Sequence, residues 1–215
     1  MIYIVGLGPG HRDYIMIKAL DIMKKSDIII GFKRAMESLE FIDNKKIYIN
    51  KLSDIDQFID GKENENKDVL INEEKINKNI SIVASGDPTF YGITNYIKSK
   101  TTFEIEVIPG LSSFQYLTCK LKMPWNNAYL GSLHGRSEDF FEQVNNNMLS
   151  IWLTDKENNP SILCKILHEA KIKCKIVIGE NLSYEDEIIS EGIPEDFINK
   201  NCSSLSIFIV YKVNE

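Results

Sequence analysis

Three runs of glycine, proline and polar residues, each placed directly after an apolar run, are the segments of this chain best suited to bind a ligand. They are residues 6–10, 85–92 and 109–113. Glycine lets the backbone approach a bound molecule closely, and proline restricts the shapes that a loop can take. Asp87 places a carboxylate in the second run, where it could accept hydrogen bonds from ribose hydroxyls or from an amine. The sequence therefore predicts three binding loops for a small polar ligand.

The first loop also invites comparison with a dinucleotide-binding turn, Gly-x-Gly-x-x-Gly. That fingerprint needs glycine at the position of His11, and Pro9 has no N–H to donate to a phosphate. The next predicted strand ends at Gly31, without the acid that would accept hydrogen bonds from a ribose. A nicotinamide-dependent oxidoreductase is therefore the weaker alternative, which tight binding of NAD would reveal.

The polar residues of these loops also have a structural interpretation. Asp87 precedes Pro88, and an aspartate at such a position commonly stabilises a turn through its own side chain. Ser112 and Ser113 stand where they could cap a helix, although their hydroxyls and the helix-terminal amides could also hold a carboxylate. Both interpretations stay open for these residues.

A second set of candidates lies in the run Leu133-His134-Gly135-Arg136. His134 is a candidate general base, because histidine is the residue type that most often transfers protons in enzymes, although an isolated histidine is more often structural. Arginine suits carboxylates because its planar guanidinium can donate two parallel hydrogen bonds. The chain has three arginines, and Arg12 and Arg136 are the candidate carboxylate ligands among them.

Apolar runs that alternate with helical patterns indicate how these loops are positioned. In the first half the predicted strands are residues 1–5, 26–31, 46–49, 80–84 and 104–108, and the predicted helices are residues 13–25, 33–41 and 93–100. Such alternation is typical of a parallel sheet, in which ligands bind at the carboxyl ends of the strands. The polar stretch 60–79 is expected to form a solvated helix and loop.

A second α/β arrangement is predicted after Pro124. Its strands are residues 150–154, 174–178 and 205–211, and its helices are residues 138–148 and 160–170. We place the boundary near residue 118, which gives an amino-terminal domain of residues 1–117 and a carboxy-terminal domain of residues 118–215. The predicted fold class is therefore α/β, with two α/β domains.

The composition narrows the classes of function. A formal net charge of −6 argues against general binding to nucleic acid or to anionic membranes. No apolar run reaches the roughly 18 residues that span a bilayer, and no secretory signal is recognised, so a cytoplasmic protein is expected. The four cysteines lack the paired spacing of a zinc site, so no metal is expected.

Taken together, the loops resemble the tetrapyrrole (class III) S-adenosylmethionine-dependent methyltransferases. The family motifs correspond here to Gly6-Leu7-Gly8-Pro9-Gly10, Gly86-Asp87-Pro88 with Tyr91-Gly92, and Pro109-Gly110 with Ser112-Ser113. Runs in the second half resemble the branch that acts on cobalt-corrinoid precursors of cobalamin: Ser132-Leu133-His134-Gly135-Arg136, Thr154-Asp155-Lys156-Glu157-Asn158, and Gly179-Glu180-Asn181-Leu182-Ser183 with Asp186-Glu187. The resemblance extends over nearly the whole chain.

This resemblance implies the tetrapyrrole methylase fold, with two α/β domains, an active-site cleft between them and a homodimer. It implies S-adenosyl-L-methionine as the methyl donor and carbon 5 of a cobalt-corrinoid tetrapyrrole as the acceptor. By position, the donor-binding residues would be Pro9, Gly86, Asp87, Phe90, Ser112, Ser113, Leu153, Asn181 and Leu182. The functional partner that the pathway implies is a separate decarboxylating carbon-15 methyltransferase.

The implied reaction depends mainly on alignment of the methyl donor with the acceptor carbon. In-line transfer of a methyl group to an electron-rich ring carbon needs the reacting atoms about 3 Å apart and no strong protein nucleophile. His134 is then the candidate catalytic base, and Arg12 and Arg136 are the candidate ligands of the substrate carboxylates. Methylation of another tetrapyrrole position, methylation of ribosomal RNA and non-catalytic sensing of the donor stay open as functions, and the acidic charge argues against RNA.

Overall fold

The structure is a computed structural model that describes residues 1–59, 78–135, 138–203 and 206–213. The chain divides into two compact units, Met1–Ser112 and Ser113–Glu215. This division falls earlier in the chain than the predicted boundary near residue 118, because the helix Ser113–Lys120 belongs as a whole to the second unit.

The first unit is built on a parallel sheet, as the alternation of elements predicts. The described part of this unit contains five strands: β1 (Ile2–Gly6), β2 (Ile28–Phe32), β3 (Lys46–Ile49), β4 (Ile80–Ala84) and β5 (Ile105–Ile108). They are ordered β3-β2-β4-β1-β5, and every neighbouring pair is parallel. Isoleucine and valine dominate the buried strand positions, as is usual for a parallel sheet covered on both faces.

The helices of the first unit are shorter than the sequence pattern predicts. They are α1 (Ile17–Lys25), α2 (Lys33–Glu37), α3 (Asp56–Ile59) and α4 (Thr94–Lys100), with 3-10 turns at Arg12–Tyr14 and Leu52–Ile55. The predicted helix 13–25 starts only at Ile17, because His11 Nδ1 accepts a hydrogen bond from the Asp13 amide and forms a separate 3-10 turn.

The predicted helix 33–41 is also shorter in the structure and ends at Glu37. The next residue, Ser38, turns its hydroxyl toward the first glycine-rich loop and donates to the Gly10 carbonyl at 2.6 Å. This bond ties the end of α2 to the loop. Most of the polar stretch predicted as a solvated helix and loop, residues 60–77, lies outside the described residues.

The second unit has a mixed sheet of five described strands. They are β6 (Tyr129–Ser132), β7 (Leu149–Leu153), β8 (Cys174–Glu180), β9 (Ile188–Gly192) and β10 (Ser206–Lys212), in the order β6-β7-β10-β8-β9. β6 and β7 are parallel, whereas the three pairs that involve β8 or β10 are antiparallel. The helices are α5 (Ser113–Lys120), α6 (Phe140–Asn146) and α7 (Pro160–Glu169), with a 3-10 turn at Pro194–Asp196.

Each unit has its own hydrophobic core. In the first unit two buried clusters are built mainly from isoleucine, valine, leucine and methionine. In the second unit Trp152 and Phe208 are fully buried at the centre of one cluster, and Phe140 packs edge-on against Trp152 with ring centroids 5.0 Å apart. Within the described ranges, no helix is both long enough and apolar enough to cross a membrane.

Candidate functional site

The three predicted binding loops follow three neighbouring strands. β1 lies between β4 and β5, so the ends of these parallel strands meet at one edge of the sheet. The first two loops bind each other directly: the Gly86 amide donates to the Gly8 carbonyl at 2.7 Å, and the Gly8 amide donates to the Gly86 carbonyl at 3.3 Å. The predicted convergence of the loops is therefore confirmed.

Glycine is required here because the loop backbones lie against each other. A side chain at Gly6 would start 2.6 Å from the Gly110 amide nitrogen and 2.7 Å from the Gly86 carbonyl oxygen. A side chain at Gly110 would collide with the same Gly86 carbonyl and would lie 2.8 Å from the Gly6 carbonyl carbon. The three loops therefore form one backbone surface with no room for a Cβ at these two positions.

Asp87 joins two of the loops. Its Oδ1 accepts hydrogen bonds from the amide of Thr89 at 2.7 Å and from the Thr89 hydroxyl. Its Oδ2 lies 3.4 Å from the Gly110 amide, which is a long contact. The structural interpretation of Asp87 as a turn residue is therefore correct, and the second carboxylate oxygen keeps acceptor capacity that a ligand could use.

The segment after Asp87 is a compact turn. The Pro88 carbonyl accepts hydrogen bonds from the Thr94 amide at 3.2 Å and from the Thr94 hydroxyl at 2.6 Å. Tyr91 has a positive φ of 51°, and its ring meets that of Phe90 edge-on at 4.9 Å. These bonds fix the place of Phe90, one of the predicted donor-binding residues, relative to the end of β4.

The other predicted residues of the first unit differ in burial. Ser112 is buried and Pro9 is half-buried in the first loop, whereas Ser113 belongs to the second unit as the first residue of α5. Arg12 lies just after the first loop with a 66% exposed side chain, and its Nε is 3.9 Å from Asp13 Oδ1. An exposed pair at this distance contributes little to stability, so the guanidinium can turn toward a bound anion at low cost.

In the second unit the predicted residues also lie at one edge of a sheet. Ser132 and Leu153 end the parallel strands β6 and β7 side by side. Ser206 starts the antiparallel strand β10 next to Glu180, which ends β8. The loops that carry His134 and Asn181 therefore leave the same edge of this sheet.

Asp155 fixes the loop that carries His134. Its Oδ2 accepts a hydrogen bond from the Gly135 amide at 3.0 Å, and its Oδ1 accepts from the Asn158 amide at 2.7 Å and the Glu157 amide at 3.0 Å. Burial alone would raise the pKa of Asp155, but these hydrogen bonds outweigh it and hold the pKa below its usual value. His134 itself is exposed at the turn, and Arg136, the other candidate in this loop, lies outside the described residues.

The loop after β8 holds the remaining predicted residues. Leu182 is buried, and Asn181 Nδ2 donates to Asp186 Oδ2 at 2.7 Å. Glu187 accepts a hydrogen bond from the Ser183 amide at 2.7 Å through Oε2. Asn181 and Ser183 both have positive φ values, 46° and 71°, so the backbone here has an uncommon shape for residues other than glycine.

Two carboxylates, Asp155 and Glu187, organise the site although the sequence reasoning assigned them no role. Both belong to runs that carry the family resemblance. Each carboxylate accepts hydrogen bonds from backbone amides, however, and such partners cannot be recognised from residue types. The one sequence feature that could have identified Asp155 is its position directly after the predicted strand 150–154. Across the described residues, no group of three or more histidine, cysteine, aspartate or glutamate side chains is arranged to hold a metal ion.

The geometry defines an α/β protein that presents glycine-rich loops at the ends of adjacent strands, the arrangement by which open α/β sheets bind small molecules. The family profile of the tetrapyrrole (corrin/porphyrin) methylases matches residues 1–194. The chain belongs to this family, and it is therefore a methyltransferase.

Two relatives align over almost their whole length. A probable cobalt-precorrin-7 C(5)-methyltransferase of Methanocaldococcus jannaschii is 35% identical over 222 residues, which cover 100% of this chain and 99% of the relative. A cobalt-precorrin-7 C(5)-methyltransferase of Salmonella typhimurium is 28% identical, with 98% of each chain covered.

Solved structures show the same fold. The precorrin-6Y methylase of cobalamin biosynthesis from Archaeoglobus fulgidus has a TM-score of 0.74 at 22% identity and covers 100% of this chain and 99% of its own. The uroporphyrin-III C-methyltransferase of Thermus thermophilus, solved in complex with S-adenosylhomocysteine, has a TM-score of 0.76 at 16% identity and covers 98% and 91%. The predicted tetrapyrrole methylase fold is confirmed.

Proposed function

We propose that this protein transfers a methyl group from S-adenosyl-L-methionine to carbon 5 of cobalt-precorrin-7, in anaerobic cobalamin biosynthesis. The observation that carries the donor half of the proposal is the junction of three glycine-rich loops at neighbouring strand ends. The acceptor half is supported by the alignment over the full length with the relative from Methanocaldococcus jannaschii.

The residues present fit the chemistry of the donor. An adenosyl group offers ribose hydroxyls and an adenine edge, and its amino-acid part offers a carboxylate and an ammonium. The free acceptor capacity of Asp87 Oδ2 suits a hydroxyl or an ammonium, and the glycine backbones allow close approach. The residues proposed to bind the donor are Pro9, Gly86, Asp87, Phe90, Ser112, Ser113, Leu153, Asn181 and Leu182.

On the acceptor side the protein has to hold an anionic ring and to remove a proton. When bound, S-adenosyl-L-methionine supplies a methyl group made electrophilic by its sulfonium. We assign the binding of ring carboxylates to the guanidinium groups of Arg12 and Arg136. His134 is assigned the role of general base, with its imidazole accepting a proton from the macrocycle. The exposure of His134 leaves the ring accessible for this role.

The test is transfer of a ¹³C-labelled methyl group. The protein is incubated with S-adenosyl-L-methionine labelled at the methyl carbon and with cobalt-precorrin-7, and the product is examined by mass spectrometry and ¹³C NMR. One labelled methyl group at carbon 5 is the expected result. Transfer to a different ring position, or to a different tetrapyrrole only, would assign a different acceptor. Binding of the donor without transfer to any tetrapyrrole would support the sensor.

Three further features belong to this proposal. We propose that the protein is a homodimer, which sedimentation would test by a mass of twice the 24.7 kDa chain. We propose that it acts in the cytoplasm. The third feature is a separate decarboxylating carbon-15 methyltransferase as its functional partner, which co-purification of the two proteins would test.

A further inference from the structure

The turn that follows β8, residues 181–183, places two residues other than glycine in the left-handed region. Asn181 and Ser183 both have positive φ, a conformation that asparagine tolerates better than serine does. Leu182 between them is 4% exposed. A turn with this backbone shape keeps one conformation only when the surrounding contacts hold it.

Glu187 supplies the contacts that hold the end of the turn. Its Oε2 accepts the Ser183 amide hydrogen at 2.7 Å, and its Oε1 lies 3.3 Å from Lys120 Nζ. The hydroxyl of Tyr116 donates a further hydrogen bond to this carboxylate. The Glu187 side chain is 18% exposed and that of Lys120 is 48% exposed, so the carboxylate is sheltered from water while the ammonium group stays partly solvated.

Helix α5 also contacts the strand residue that leads into the turn. A Cβ built at Gly179 would lie 2.9 Å from both Leu117 Cδ2 and Leu182 Cδ2, so these leucine side chains fill the space beside the glycine. Leu117, Tyr116 and Lys120 belong to the same helix. Contacts from α5 therefore reach the turn on both sides, by apolar packing before it and through Glu187 after it.

We propose that Glu187, held by Tyr116 and Lys120, is a positioning residue that keeps the 181–183 turn in the shape required to bind the methyl donor. This inference rests on the proposed function, since it assumes that the turn binds the donor. Glu187 acts through the Ser183 amide and does not itself touch the donor.

The titration behaviour of the cluster agrees with this geometry. Burial alone would raise the pKa of Glu187, but its hydrogen bonds from Tyr116 and Ser183 and its pairing with Lys120 hold the pKa below its usual value. Burial, followed by the hydrogen bond to Glu187, raises the pKa of Tyr116 to about 12. Glu187 is therefore charged and Tyr116 is neutral around pH 7, as the hydrogen bonds require.

The test compares Glu187→Ala, Glu187→Gln and Tyr116→Phe with the wild type, and uses Glu185→Gln, a change of an exposed acid next to the same turn, as the matched control. Binding of S-adenosylhomocysteine is measured by calorimetry, and exchange of the Ser183 amide hydrogen is measured by NMR. KM is determined for donor and acceptor separately. Thermal unfolding identifies variants that fail to fold.

Glu187→Ala is expected to weaken binding of S-adenosylhomocysteine by about tenfold, the change produced by ~1.4 kcal/mol. It should also speed exchange of the Ser183 amide and raise KM for the donor but not for the acceptor. Glu187→Gln keeps an oxygen for that amide and should recover most of the affinity. Tyr116→Phe should show a smaller loss, and Glu185→Gln none.

Wild-type affinity in folded Glu187→Ala would overturn the inference while leaving the proposed function intact. Equal changes in KM for donor and acceptor would also overturn it, since they would indicate a general loss of structure. If Glu187→Ala does not fold, unchanged affinity and unchanged Ser183 exchange in Tyr116→Phe would overturn the inference. A wild type that does not bind S-adenosylhomocysteine would remove the proposed function and this inference with it.

Discussion

A single carboxylate can combine a structural role with capacity to bind a ligand, and Asp87 shows this combination most clearly. Its Oδ1 closes a turn with Thr89, while Oδ2 makes only a long contact with the Gly110 amide. A residue of this kind can be structural in the free protein and can bind a ligand when one arrives. The two interpretations that the sequence leaves open for Asp87 are therefore compatible.

Asp155→Asn should lower the free energy of unfolding by about 1 kcal/mol at pH 7, because an amide accepts the Gly135 and Asn158 hydrogen bonds less strongly than a carboxylate. The pKa of Asp155 is lowered in the folded protein, from a reference value of 3.8. Its stabilising contribution is therefore complete above that value and is lost as the pH falls through the folded pKa.

Urea unfolding of the wild type and Asp155→Asn at a series of pH values checks this expectation. The difference in unfolding free energy between the two proteins should shrink from pH 7 toward pH 3. Asp21→Asn, an exposed position on α1, is the control and should differ little from the wild type at either pH. A difference that is constant or that grows toward low pH would contradict the assignment.

At the residue scale, the sequence identifies a candidate site residue only where the residue type itself is informative. The glycines, Asp87 and the His134 run stand out because their residue types indicate loops. The roles of Asp155 and Glu187 could not be predicted, because both carboxylates bind backbone amides. Such amides are present at every residue except proline, so only the folded backbone determines which of them a carboxylate meets.

Among the structural elements, the junction of β1, β4 and β5 is the feature on which the site depends. Three loops can share one backbone surface only because their strands are neighbours in the sheet, and because Gly6 and Gly110 carry no side chains. The junction should therefore be more sensitive to an added methyl group than to a change of charge.

Gly6→Ala should destabilise the protein by about 2–3 kcal/mol, since its Cβ would meet backbone atoms that cannot rotate away. Gly135→Ala is a useful contrast, because its φ is +62° but no atom of the described residues, its chain neighbours aside, lies within 4 Å of the added Cβ. Its cost should be only that of the backbone conformation, about 1 kcal/mol.

Chemical denaturation of the two variants measures both values. Gly6→Ala should also reduce binding of S-adenosylhomocysteine, whereas Gly135→Ala should leave it close to that of the wild type. Equal destabilisation of the two variants, or unchanged ligand binding in Gly6→Ala, would show that the loops are not packed as described.

The sequence patterns do not predict β6 and β9, and both strands are missed for the same reason. β6 contains Gly131, whose missing side chain makes room for Trp152, and β9 is an edge strand in which Ile188 and Glu191 are exposed. Neither presents the continuous apolar run that predicts β4 or β10. Their formation depends on pairing with β7 and β8, which no local pattern reveals.

At the scale of the whole molecule, the two units are organised in a similar way. Each has its own sheet and core, and in each the predicted site residues lie at one edge of the sheet. The net charge of −6 would repel an anionic acceptor at long range, so we expect its binding to depend on local cationic groups, the role proposed for Arg12. The division into two α/β arrangements is predictable from sequence because the strand and helix patterns start again after Pro124.

The central claim is that the glycine-rich loops of the first unit bind the methyl donor, and calorimetric titration with S-adenosylhomocysteine tests it most directly. The wild type should bind with a Kd on the order of micromolar, and Asp87→Asn should bind at least ~10-fold more weakly. Asparagine keeps one oxygen for the Thr89 turn, so the variant should remain folded. Asp21→Asn should bind like the wild type. Absence of binding by the wild type, or equal affinity in Asp87→Asn, would contradict the account.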